Sequence, residues 1–282
     1  MSIRNIVKGR ATQDGAGVKL RRSLGATPHA RMDPFLMLDE FYSDDPNDYI
    51  AGFPSHPHRG FETITYILEG CMRHEDHLGN SGLLETGGVQ WMTAGRGIIH
   101  SEMPEQKEGR LRGFQIWLNL PAEDKMIDAA YEDIPSDSFG QLSLCNGGHI
   151  QVIAGVANIG EQTATGPINP DNTKRTDPHL WNIELTAGET VTFAPAAHLQ
   201  SGLYLYAGEA QVGEEEIPAR SMAVLEQAGI VTITAGTQGA HLLYLAGRPL
   251  HEPIAQYGPF VMNTEAEIVQ AIHDYQNGRL TG

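Results

Sequence analysis

His56 and His58 stand one residue apart in the stretch F53-P-S-H-P-H-R-G-F-E-T-I-T-Y. On an extended strand, residues i and i+2 face the same side, so the two imidazoles can converge on one point. His100 and Glu102 repeat that spacing in G95-R-G-I-I-H-S-E, some forty residues further on. If the two strands line one enclosure, three imidazoles and one carboxylate meet. That donor set suits one divalent first-row metal: iron, and equally nickel, copper, manganese or zinc. Four protein ligands on an octahedral ion leave two positions for a bidentate organic group, or for a substrate together with dioxygen. Glu62 shares strand alternation with His58 and is expected to face inward as well. There it would serve as a ligand in place of Glu102, or as an acceptor for a ligand's imidazole N–H.

A lone His-x-His pair is more often a pair of surface histidines; the second pair, inside a glycine-punctuated strand, is what raises this one above that reading. The other histidines carry no such pattern. His74 and His77 lie three apart, which fits no strand face, and are expected on the surface. His29, His149, His179, His198, His251 and His273 are expected to do no chemistry, and His241 has Leu243 rather than a carboxylate two residues on.

The elements that must hold these residues are strands and turns. T63-I-T-Y-I-L-E-G is an alternating strand closed by Gly70, and V89-Q-W-M-T and G113-F-Q-I-W-L-N-L are further strands. P121-A-E-D-K-M-I-D-A-A-Y-E-D reads as a short helix with Pro at its start and acids in its first turn. I134-P-S-D-S-F-G marks a boundary, which gives an N-terminal metal-binding domain over 1–136 and a second strand-rich domain over 137–282. The second domain ends in a helix. Thr264 and Glu267 form a capping box, Ile268, Ala271, Ile272 and Tyr275 follow at helical spacing, and Gly278 closes the segment.

The two halves read as diverged copies. With Gly70 set over Gly208, the positions of His56, Pro57 and His58 carry Ala194, Pro195 and Ala196, and that of Glu62 carries Gln200. One half is equipped for a metal and the other is stripped.

Composition narrows the function. The chain has 282 residues, 32 glycines, 16 prolines and a formal net charge of −16. Such an acidic surface repels phosphate backbones, which argues against direct nucleic-acid binding. Two cysteines, Cys71 and Cys145, make no disulfide framework and are expected to be small buried side chains. No long apolar run and no signal-like apolar core occurs, so a cytoplasmic protein with no membrane association is expected.

G52-x-x-x-H56-x-H58-x-x-x-E62 followed by Gly70 resembles the first cupin motif, and G95-R-G97-I-I followed by His100 resembles the second without its usual proline. More specifically, the stretches F35-L-M-L-D-E-F, H56-P-H-R-G-F-E-T-I-T-Y, Q90-W-M-T-A-G-R-G-I-I-H-S-E-M and E252-P-I-A-Q-Y-G-P-F-V-M-N-T resemble the pirin family. The resemblance implies an all-β bicupin: two antiparallel β-barrels side by side, with short helices and a C-terminal helix. Only the N-terminal barrel would hold metal, usually Fe(2+), through His56, His58, His100 and Glu102, with Glu62 not a ligand; the chain would be a monomer.

The resemblance also implies an activity. Family members show quercetin 2,3-dioxygenase activity, in which dioxygen cleaves a flavonol ring with loss of carbon monoxide. A flavonol 3-olate and O2 would then be the partners of the metal, with Glu102 the first candidate base and Glu62 the second. Phe53, Trp91, Met92, Gln115 and Trp117 are candidate wall residues, and Arg59 and Arg96 flank the ligand strands. All but Gln115 are better read as barrel packing, and the two arginines as partners of surface acids. The alternative is a metal-bearing regulatory protein that acts through a protein partner, as a transcriptional coregulator or a regulator of a metabolic enzyme.

Overall fold

A computed structural model of the protein describes residues 2–106, 108–227 and 229–282. The chain forms two compact units. The first comprises Ala11–Arg22, Phe35–Ser136 and Leu250–Gly282; the second comprises Met1–Arg10, Ser23–Pro34 and Asp137–Pro249. The expected ranges 1–136 and 137–282 share the break after Ser136 and differ at both ends. Unpaired strand edges and apolar helix faces explain the difference. The strand Ile3–Lys8 pairs antiparallel with Ser221–Leu225, so the N-terminal residues complete the second unit's sheet. The C-terminal helix Glu265–Gln276 buries Ile268 and Ala271 with Phe260, Met262 and Leu280, inside the first unit. Its start is as the sequence indicates: Thr264 and Glu267 form a capping box, and Gly278 follows with φ of 65°.

The described residues of the first unit include two large antiparallel sheets and a two-stranded one, Ala255–Tyr257 with Phe260–Met262. Seven strands run in the order Ala130–Ile134, Val89–Thr93, Phe61–Glu69, Leu111–Asn119, Phe35–Ser43, Val18–Arg22 and Arg10–Asp14. Four more run in the order Phe53–His58, Ile98–Pro104, Met72–Asp76 and Ser81–Leu84. Val18, Leu20, Phe41, Ile67 and Leu111 from the larger sheet share one apolar cluster with Met72 and Leu84 from the smaller. That cluster identifies the inner faces. The described ladders stay open as two sheets rather than forming the closed ring that a barrel would require.

Residues 121–133, expected as a helix, make a single 3-10 turn at Ala122–Asp124 and then the strand Ala130–Ile134 on the edge of Val89–Thr93. Lys125 is the reason. Its ammonium turns inward and donates to the Gly60 carbonyl (2.7 Å), to Asn119 Oδ1 (2.7 Å) and to the Val261 carbonyl (3.0 Å), so all three protons are placed.

The second unit centres on a nine-stranded sheet whose longest strands are Gln200–Val212 and Val231–Gly247. The strand Gln200–Val212 lies between Ser221–Leu225 and Val231–Gly247, as Phe61–Glu69 lies between Val89–Thr93 and Leu111–Asn119. The repeated topology agrees with the internal similarity. Ala194, Pro195 and Ala196 fall in the connection before this strand and offer no metal ligand. No helix among the described residues is long and apolar enough to cross a membrane.

Candidate metal centre

The histidines are brought together by strand pairing. Phe53–His58 and Ile98–Pro104 are antiparallel neighbours with His56 opposite His100 and Ile98 opposite His58. Directly opposed residues share a face, so all three imidazoles leave the small sheet on one side. One ring nitrogen from each of His56, His58 and His100 lies within 4.8 Å of the others. His56 Nδ1 donates to the Pro54 carbonyl at 2.8 Å, which turns its Nε2 towards the other two rings. That Nε2 lies 2.9 Å from His58 Nε2. His100 Nε2 is buried without a hydrogen-bond partner among the described residues.

Protonation fits the same picture. Burial, then the neighbouring His100 and His56, push the His58 pKa well below the usual imidazole value. Burial, then His56 and His74, do the same for His100. Two neutral, desolvated rings next to a third are poor company for protons and good company for a divalent ion, which binds deprotonated nitrogen. The three-histidine group can therefore hold a metal.

Glu102 is buried on the same face as His100, and it lies outside the group of mutually close donor atoms. Its Oε1 accepts from Thr65 Oγ1 at 2.8 Å, and the same hydroxyl lies 2.8 Å from Gln115 Oε1. Thr65 and Gln115 face each other across Phe61–Glu69 and Leu111–Asn119, on the inner side of the large sheet with Ile67. Glu62 is on the opposite side of that strand. It is buried, lies across from Thr93 and Leu118, and accepts from Thr93 Oγ1 at 2.8 Å. The alternation argument that placed it beside His58 fails at Arg59–Gly60. There the chain leaves the small sheet for the large one through Gly60, at φ of 89°, and the parity of the faces is reset.

Of the wall candidates, Gln115, Trp117 and Met92 share the inner register with Thr63 and Thr65, and Trp117 meets His58 edge-on with centroids 5.6 Å apart. Trp91 pairs with Ile64 on the other face, and Phe53 packs at the margin of the apolar cluster. The two arginines part company. Arg96 makes an exposed ion pair with Asp128. Arg59 is buried: its Nε donates to the Arg96 carbonyl, and its two terminal nitrogens reach Asp274 Oδ2 at 2.8 Å and the Leu280 carbonyl at 3.0 Å.

His74 is buried, contrary to the surface position expected for it. It lies opposite Glu102 in the small sheet, and its Nε2 is 3.0 Å from Asp133 Oδ2. Asp133 also accepts from Gln90 Nε2 at 2.9 Å. Burial opposes ionisation of Asp133, but the His74 and Gln90 hydrogen bonds outweigh it and hold its pKa below the usual value. Alternation with Met72 could have placed His74 inside; its spacing from His77 concealed it. A depression of about 300 Å³ opens beside this network, lined among others by Asp76, which stands opposite His100, and by Ile98 and Tyr131. Elsewhere, His149, His179 and His198 have acidic neighbours, although the sequence offered them no partner, and Cys145 is exposed rather than buried.

Residues 17–118 match the pirin family, and residues 180–281 match the pirin C-terminal cupin domain. A Pseudomonas aeruginosa protein named as a candidate quercetin 2,3-dioxygenase is 51% identical over 96% of this chain and 95% of its own. Human pirin is 37% identical over 97% of this chain and 91% of its own. The crystal structure of a quercetin 2,3-dioxygenase from Acinetobacter baumannii superposes with a TM-score of 0.89 at 30% identity, over 99% of this chain and 98% of that one. Similarity on this scale, spanning both cupin halves and the strands that carry the three histidines, makes the chain a member of the pirin family.

Proposed function

We propose that the protein is an iron-dependent dioxygenase that opens the ring of flavonols such as quercetin, with His56, His58, His100 and Glu102 as its metal ligands. The convergence of three imidazole nitrogens opposite a threonine- and glutamine-bearing strand face carries this reading. The names of the Pseudomonas and Acinetobacter relatives supply the substrate class. When bound, the ion supplies Lewis-acid stabilisation of an anionic oxygen.

The chain's own residues do the rest. Thr65 holds one oxygen of Glu102, which fixes the carboxylate and leaves its second oxygen for the ion. Glu102 is also the nearest base for the 3-hydroxyl proton of an incoming flavonol. Glu62, turned to the other face of its strand, is a weaker candidate for that task. Gln115 presents an amide beside Thr65, in reach of a substrate hydroxyl or keto oxygen. Trp117 and Phe61 stack near His58 and keep water from the rings.

The test is anaerobic mixing of the iron-loaded protein with quercetin, followed by oxygen. Saturable oxygen uptake with carbon monoxide release is expected, abolished by chelation and by His58→Ala. Uptake no greater than that of the chelated protein would remove the enzyme reading for this substrate and leave the metal-bearing regulator in its place.

A further inference from the structure

Three strands of the second unit, His149–Ala154, His179–Leu185 and Val231–Gly247, are consecutive neighbours. Their register sets His149 opposite Glu184 and Glu184 opposite His241. The three side chains therefore stand in a row on one face. It is the face away from the core, because Trp181, Ile183 and Leu185 of the middle strand point inward. We propose that His149, Glu184 and His241 form a second cation site, for a borderline divalent d-block ion such as Zn2+.

Glu184 Oε2 lies 3.7 Å from His149 Nε2 and 3.7 Å from His241 Nδ1. These separations are too long for hydrogen bonds. Each is close to the roughly 3.4 Å between donors that a tetrahedral ion imposes with bonds of about 2.0–2.1 Å; the two imidazoles lie farther from one another, outside the spacing that unites the three histidines of the first centre, and must swing towards the carboxylate to share an ion. The imidazoles are 42% exposed and the carboxylate 33%, so all three can rotate and close on an ion without disturbing the core. One carboxylate and two imidazoles suit a borderline ion in donor type, and water completes the coordination.

The carboxylate is also held from behind. Asn182 is 1% exposed; its Nδ2 reaches Gln151 Oε1 at 3.1 Å and Glu184 Oε1 at 3.4 Å. Tyr206 Oη donates to Asn182 Oδ1 at 2.6 Å. One oxygen of Glu184 is thus oriented by a buried amide while the other is presented between two rings, the arrangement by which outer groups orient metal ligands. An ion there would tie three adjacent strands together and stabilise the second unit. Ala194 and Ala196, which stand where the internal repeat has histidines, lie in a connection outside these three strands and take no part.

The experiment is equilibrium titration of the chelator-stripped full chain with Zn2+ buffered in the micromolar range, with thermal unfolding in parallel. Wild type is expected to take up two equivalents. His241→Ala and Glu184→Gln should each take up one, and should lose part of the Zn2+-induced rise in melting temperature. His58→Ala should also take up one, at the site proposed here. The proposal is overturned if His241→Ala and Glu184→Gln bind as much Zn2+ as wild type, or if wild type binds a single equivalent that His58→Ala abolishes. A His58→Ala protein with undiminished uptake would instead count against the first centre, so the two readings fail separately.

Discussion

His100 Nε2, buried with no hydrogen-bond partner among the described residues, is the atom that asks most plainly for an ion. A buried polar group left unmade costs on the order of 1–3 kcal/mol. Thr65 is the companion residue, because its hydroxyl donates to Glu102 Oε1 at 2.8 Å. Thr65→Val should leave the three histidines in place and weaken metal binding by about tenfold or more, as removal of outer-shell partners does. An unchanged dissociation constant would show that Thr65 does not orient Glu102. Lys125 gives a prediction that depends on pH. Burial pulls its pKa from 10.5 down to about 8 in the folded protein, against the opposing pull of Glu252 and Glu267. Between those two values the unfolded chain binds the proton and the folded chain has lost it. Stability therefore rises as pH climbs from about 8 towards 10.5, by up to about 3 kcal/mol from this group. Denaturant unfolding at several alkaline pH values should show this upward slope in wild type and its loss in Lys125→Met. At this scale the paired spacings of His56 with His58 and His100 with Glu102 were legible, because a strand's period of two is local. Glu62 and His74 were not: one glycine bend reset the parity of the first, and Asp133, which covers the second, comes from a distant strand.

A guanidinium next to the candidate ligands joins elements that the sequence keeps far apart. Arg59 follows His58 and gathers the Arg96 carbonyl from the loop before His100, Asp274 from the C-terminal helix and the Leu280 carbonyl from the segment beyond it. Arg59→Met should lower stability by about 1–3 kcal/mol, because it leaves the buried Leu280 and Arg96 carbonyls without this donor and removes the ion pair with the partly exposed Asp274. It should also weaken metal binding, since both histidine-bearing segments lose a shared anchor; metal affinity unchanged at a lowered melting temperature would reduce Arg59 to a structural role. Thr264→Ala removes the capping box and should cost about 1 kcal/mol of stability, read by thermal melting. The helix itself was legible, down to its cap and its terminating glycine, because those signals are local. The false helix at 121–133 carried equally good local signals. A buried lysine and an open sheet edge, both set by tertiary structure, overrode them.

Over the whole molecule, the chain's two ends exchange sides. The N-terminal strand completes the sheet of the unit without the three histidines, and the C-terminal helix packs in the unit that has them. Removal of residues 1–10 should therefore destabilise the second unit and leave metal uptake at His56, His58 and His100 intact. Removal of residues 263–282 should do the reverse and loosen the centre. Equal effects on metal binding from both deletions would contradict this division. The sequence suggested two cupin halves, one equipped and one stripped, and the repeated strand order agrees with it; the exchange of ends was hidden because no local pattern records which edge a terminal segment will cover. The most direct test of the central claim is an anomalous-scattering map from crystals of protein purified without oxygen. A metal peak about 2.0–2.2 Å from the Nε2 atoms of His56, His58 and His100 is the predicted result, with an oxygen of Glu102 as the next ligand. A map with the three rings well ordered and no peak between them would contradict it.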